Sequence, residues 1–174
     1  MAYIPYAHLD GPGQKALVER IVAERGSVLH LYQMLLHSPP VAEGWLGFMT
    51  AIRQRSLLSG ALRELVIMRI ALVNGADYEA EQHAPIALKE GLSQAQLDAL
   101  GDWSGATVFT ALQRNVLALS DAMTKTVKVP RALVDAVQPQ LSHQEVVELV
   151  ATIASYNMVS RFLEALSIHS DDSR

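Results

Sequence analysis

Glu79 and His83 stand four residues apart in Asn74-Gly75-Ala76-Asp77-Tyr78-Glu79-Ala80-Glu81-Gln82-His83. On a helix that spacing leaves the two side chains about 40° apart around the axis, near enough to meet. Glu64 opens the preceding apolar stretch, and antiparallel packing of two helices would bring it onto the same pair. Two carboxylates around one imidazole make a proton-transfer set. Glu79 falls in the first turn of its helix, where the macrodipole favours a negative charge. It is therefore expected to act as a base or as the orienter of His83. A carboxylate beside an imidazole favours the imidazolium, which suits His83 to the role of general acid or proton shuttle. A Glu–His pair at this spacing is also common surface decoration. The neighbouring apolar helix argues for function, because a lone charge is costly to bury there. The spacing would also let Glu64, Glu79 and His83 share one metal ion, but nothing demands it, and no metal is expected.

Several other polar residues have two readings. Arg69 sits among Met68, Ile70 and Leu72, either ion-paired with a carboxylate such as Glu64 or Glu79, or anchoring a substrate carboxylate. Arg63 is expected to be exposed, and Glu81, nearly opposite Glu79 and His83, to be solvated. Asn157 and Arg161 continue a stripe from Val150 and Ile153, and form either a structural network or ligand contacts. Tyr78 is a core residue or a hydroxyl turned into the site. His30, His37, His143 and His169 show no ligand spacing.

The elements that must position these groups are helical. Apolar residues recur with helical period nearly throughout, and no alternating β-branched run appears. Residues 1–12 read as an extended arm, discouraged from helix by Pro5, Gly11 and Pro12. Helices are expected at 13–25 and 28–37. A third starts from Ser38 as N-cap, with Pro39 in its first turn, and runs to about Gln54. Leu62 to Val73 should be buried on most sides and end at Asn74-Gly75. Asp77 should cap a helix to about residue 90 that Pro85 kinks without ending, with Gly91 as its stop. Ser93 caps a short helix, 107–125 is another, and Val129-Pro130 opens a further one. Ser142 and Glu145 form a capping box that starts a final helix to about Leu166. Residues 167–174 form a polar tail, of which Ser170 to Arg174 is expected to fray. The expectation is an all-α fold, one compact domain over 1–174 with about six to nine helices.

Composition narrows the chemistry further. The 174 residues are 50% hydrophobic and 18% charged, with a formal charge of -4 and the signs interspersed. No concentrated basic face exists for a phosphate backbone, so nucleic acid is not an expected partner. No run of eighteen uncharged apolar residues occurs, so no membrane span is expected. The first residues lack a secretory layout, and a cytoplasmic location is the expectation. There is no cysteine. Thiolate nucleophiles, disulfides, cysteine-bound zinc and iron–sulfur clusters are thereby excluded.

The block from Leu62 to Leu92 resembles the carboxymuconolactone decarboxylase and alkylhydroperoxidase D-like superfamily, in its cysteine-free branch. His37-Ser38-Pro39 and Tyr156-Asn157-Met158-Val159-Ser160-Arg161-Phe162 are similar to members of that branch. The resemblance covers about residues 28 to 166 and implies a helical fold of the alkylhydroperoxidase D-like type. In the thiol-dependent relatives a glutamate precedes Cys-x-x-Cys and a histidine follows. Glu64 and His83 match the glutamate and histidine, while Ala76 and Glu79 stand at the cysteine positions. Thiol peroxidase activity is thereby excluded. The decarboxylase relatives imply loss of carbon dioxide from a small anionic lactone, as in aromatic-compound catabolism, without a cofactor. His83, Glu79 and Glu64 would be catalytic, with Arg69, Tyr78 and Asn157 at the substrate. The resemblance also implies a homo-oligomer, as dimer, trimer or hexamer. A non-catalytic helical binding or assembly module is the alternative.

Overall fold

A computed structural model describes residues 1–11 and 13–172. Pro12 of the expected arm and Ser173 and Arg174 of the expected tail lie outside the described residues. Among the described residues the secondary structure is all helical, with no strand. The chain divides into two compact units, Met1–Arg55 with Leu163–Arg174, and Ser56–Phe162.

The first unit contains α1 (Lys15–Arg25), α2 (His30–Leu35) and α3 (Pro39–Thr50), and α3 runs on into a single π-helical turn, Ala51–Arg55. α1 stops where Gly26 turns left-handed at φ 82°, a conformation that costs glycine nothing. α3 begins at the expected Pro39, but the Ser38 side chain makes no capping hydrogen bond. The fixed φ of a proline in the first turn is a sufficient start signal. The arm is non-helical, and Gln33 Nε2 donates to the Ala7 carbonyl at 3.1 Å. The tail differs from expectation. Ser167, at φ 53°, turns the chain back, Ile168 is buried, and Tyr6 donates to Asp172 Oδ2 at 2.7 Å. One buried isoleucine and one part-buried hydrogen bond hold a segment that looks polar in sequence.

The second unit carries α4 (Gly60–Asn74), α5 (Asp77–Lys89), α6 (Gln94–Ala99), α7 (Ala111–Lys125), α8 (Arg131–Val137) and α9 (His143–Leu166) through Phe162. α4 is its centre, packed against both α5 and α7. Leu65, Val66, Ile67 and Ile70 are fully buried, as an all-round apolar helix requires. Ser59 caps its start, accepting from Leu62 N at 3.3 Å. Just upstream, Leu57 N and Leu58 N both donate to Glu148 Oε2 of α9, at 2.7 and 2.9 Å.

Gly75 closes α4 at φ 66°, with Gly75 N donating to Leu72 O and Ala76 N to Ala71 O. This Schellman pairing satisfies the last carbonyls and reverses the chain directly into α5. Asp77 lies inside α5's first turn with Glu79, and Ala76 takes the cap position expected for Asp77. α5 continues through Pro85 as expected. α7 starts later than expected, at a Thr110–Gln113 capping box, while the Ser93 cap and the Ser142–Glu145 box form as read. α9 is long and apolar enough to cross a membrane by length and composition, yet 56% of its most apolar window is buried within the protein. That burial is the pattern of a core helix.

Candidate active site

The α4–α5 reversal sets Glu64 beside His83. Glu64 is 0% exposed and its Oε2 lies 2.7 Å from His83 Nδ1, with the histidine 7% exposed. An ionised carboxylate only accepts, so Nδ1 carries the proton in this pair. Neutral His83 then presents Nε2 as an acceptor. The group facing it is the Tyr156 hydroxyl of α9, at 3.4 Å, with the two rings edge to face at 5.2 Å. Tyr156 is itself buried. The result is a line from carboxylate through imidazole to phenol, contributed by three helices.

Two flanking interactions complete the cluster. Arg63 Nε stands 3.3 Å from Glu64 Oε1, and its Nη2 is 3.4 Å from Glu90 Oε1. Arg63 was expected at the surface but is buried, because its planar head spans these two carboxylates. Glu79 is also buried, and its Oε2 accepts from Ser160 Oγ of α9 at 2.5 Å. The carboxylate that orients His83 is thus Glu64, from the neighbouring helix, with Glu79 anchored to α9. Tyr78 is buried on α5, and Glu81 is exposed.

Arg69 belongs to a different constellation. Its Nε and Nη2 grip Asp121 of α7 at 2.6 and 2.8 Å, and Nη1 donates to the Leu100 carbonyl at 2.8 Å. The ion-pair partner is Asp121, in place of the expected Glu64 or Glu79. Trp103 Nε1 and Lys125 Nζ also donate to Asp121 Oδ2. Burial alone would raise the Asp121 carboxyl, but hydrogen bonds from Arg69, Lys125 and Trp103 outweigh it and hold the group below its ordinary range. Asn157 is similarly engaged: Nδ2 donates to Thr124 Oγ1 and the Ile153 carbonyl, and Oδ1 accepts from Asn74 Nδ2 and Arg161 Nη1.

Tyr156 and Ser160 were not singled out from the sequence as site residues. Their signal was there in part: with Asn157 they repeat at helical spacing on an otherwise apolar helix, and buried polar groups at such spacing need partners. Among the described residues no group of three or more His, Asp or Glu side chains is arranged to hold a metal ion.

The pattern of the carboxymuconolactone decarboxylase family matches residues 39–122, which include Glu64, Arg69, Tyr78, Glu79 and His83. That match spans just under half of the chain. The fold is similar to the alkylhydroperoxidase AhpD core of an uncharacterized peroxidase-related protein from Ralstonia eutropha JMP134, with a TM-score of 0.83 at 16% identity, covering 98% of this chain and 93% of that one. It is also similar to the debrominase Bmp8 in complex with 2,3,4-tribromopyrrole, with a TM-score of 0.79 at 17% identity, over 95% of this chain and 90% of that one. Among sequence relatives, the uncharacterized protein YdfG of Bacillus subtilis strain 168 is 24% identical over 115 residues, 65% of this chain and 78% of its own length. At the two cysteine positions of the thiol-dependent pattern this chain has Ala76, which is buried, and Glu79, bound to Ser160.

Proposed function

We propose that this protein is an acid–base enzyme that works without a cofactor on a small anionic lactone or carboxylic acid, by decarboxylation or a related proton transfer. The observation that carries the reading is the 2.7 Å Glu64–His83 contact with Tyr156 on the far side of the ring. In a decarboxylation the bond to the departing carboxylate breaks and its electron pair moves toward the lactone carbonyl as an enolate. Carbon dioxide leaves, and the carbon skeleton then takes up one proton. His83 first takes a proton from water at Nε2, becoming imidazolium, and then delivers that proton to the carbon, while Glu64 keeps the ring oriented through Nδ1 and stabilises the imidazolium, as a carboxylate–imidazole pair does in general acid–base catalysis. Tyr156 relays the proton or holds the ring edge. Arg69 is assigned to the scaffold, because the guanidinium edge suited to a substrate carboxylate already holds Asp121. The likeness in fold to a debrominase that holds a small ring compound supports a small cyclic substrate.

A second reading, a helical binding or assembly module without catalysis, is favoured by how deeply the cluster is buried, with Glu64 and Ser160 both fully enclosed. Turnover separates the two. Carbon dioxide release and the ultraviolet change on 4-carboxymuconolactone are measured for the wild type, His83→Ala and Glu64→Gln. The enzyme reading expects wild-type turnover that falls about 100- to 10,000-fold in His83→Ala and by a smaller factor in Glu64→Gln. Equal turnover in all three removes these residues from the mechanism. Absence of turnover on this lactone and related carboxylic acids favours the module.

A further inference from the structure

Arg161 is pinned by one end of its guanidinium. Nη1 donates to the Asn157 carbonyl at 2.9 Å and to Asn157 Oδ1 at 2.7 Å. Among the described residues the Nε and Nη2 edge has no hydrogen-bond or ion-pair partner, and the residue is exposed. Arg69 shows what that edge does when it is filled: through Nε and Nη2 it grips both oxygens of the Asp121 carboxylate. A guanidinium fixed at Nη1 and open at Nε/Nη2 is therefore a pre-positioned carboxylate fork, and little freedom remains to be lost on binding.

The residue that pins it also lines a cleft. Asn157 borders a half-open cavity of about 340 Å³ whose other walls are aliphatic, among them Leu119, Met123, Val134, Val150 and Ala154. The Asn157 amide has both donors and both acceptor positions engaged, with Thr124, Ile153, Asn74 and Arg161. Inside the cleft no side chain is left to recognise a polar group. Whatever sits there presents hydrocarbon to the walls. Arg161 follows Val150, Ala154 and Asn157 on the same face of α9, one turn beyond Asn157, and its guanidinium is held against the Asn157 amide.

We propose that this cleft is a binding site for a small monocarboxylate with an apolar body, the body against the aliphatic walls and the carboxylate on Arg161. The volume lies near the lower end of the range for ligand pockets, about 300–1,000 Å³, which suits a chain of about eight carbons. None of Glu64, His83 or Tyr156 lines it. The site is thus separate from the acid–base cluster, and its occupancy does not depend on the catalytic reading.

Calorimetric titration of the full chain with octanoate, with 1-octanol and with acetate tests the proposal, on the wild type, Arg161→Gln and Ala154→Phe. Octanoate should bind the wild type, and acetate, which lacks the body, should not bind in the same range. Arg161→Gln should weaken octanoate about tenfold or more, the loss of a charge-assisted fork, and leave 1-octanol unchanged. Ala154→Phe, which fills the cleft from an exposed position, should abolish both. If that variant does not fold, Val150→Phe takes its place. Octanoate binding that is absent from the wild type, or equal in Arg161→Gln, overturns the proposal. So does sedimentation showing an oligomer that Ala154→Phe dissociates, because a second copy of the chain would then occupy the cleft.

Discussion

α4 supplies a charged side chain to each of two buried constellations, and they are built differently. At Arg69 a guanidinium meets a carboxylate through two parallel bonds, a backbone carbonyl takes a third, and Trp103 and Lys125 add donors to Asp121. At Glu64 a carboxylate meets an imidazole, and the far nitrogen faces a phenol. An arginine does not release a proton in a protein, so the first arrangement can fix geometry and nothing more. An imidazole changes protonation near neutral pH, so the second can pass a proton along its axis. Burial alone does not distinguish scaffold from site. What distinguishes them is whether the paired groups can exchange a proton.

The comparison breaks most visibly in stability. Arg69→Met removes the guanidinium, leaving the Asp121 carboxylate with Trp103 and Lys125 as its remaining donors and the Leu100 carbonyl without its guanidinium donor. The expected cost is about 3 kcal/mol of unfolding free energy, read from the urea midpoint at unchanged slope. Glu64→Gln keeps shape and an acceptor for His83 Nδ1, so its expected cost is smaller, about 1 kcal/mol. Its main effect belongs in the rate. Equal destabilisation by the two variants would erase the distinction between them.

A finer effect concerns acid. The folded Asp121 carboxyl lies below its unfolded value of about 3.9. A group depressed on folding contributes stability that is fully present above the unfolded pKa and lost as pH falls through the folded one. The melting-temperature difference between wild type and Asp121→Asn should therefore be flat above about pH 5 and shrink below about pH 4. A difference that keeps its size down to pH 2 would mean the fork contributes shape without charge.

Much of the fold is legible from local signals. Ser93, the Ser142–Glu145 box, Gly26, Gly75 and Gly91 act on their own helix ends, and each works as the sequence suggests. Where a helix start is set by several competing residues, as at Asp77 or Thr110, the boundary moves by a few positions. The site is legible only in part. Glu64 and His83 lie on consecutive helices joined by a two-residue turn, so their meeting follows from the reversal at Gly75. Arg63, Tyr156, Ser160 and Asp121 depend on contacts between helices distant in sequence. Periodicity says that such residues are buried, but not which partner waits for them. Arg69 illustrates the limit, since a buried arginine requires a carboxylate and only the packing of α7 on α4 selects Asp121.

The central claim is that Glu64 holds the proton of neutral His83 on Nδ1 and leaves Nε2 to face Tyr156. Long-range nitrogen–proton correlation spectra of the histidine rings at about pH 8, above the reference imidazole pKa of about 6.5, report that tautomer directly. The account predicts a protonated Nδ1 and an unprotonated Nε2 for His83, with the preference weakened in Glu64→Gln. A proton on Nε2 in the wild type, or a spectrum unaltered by Glu64→Gln, would contradict it.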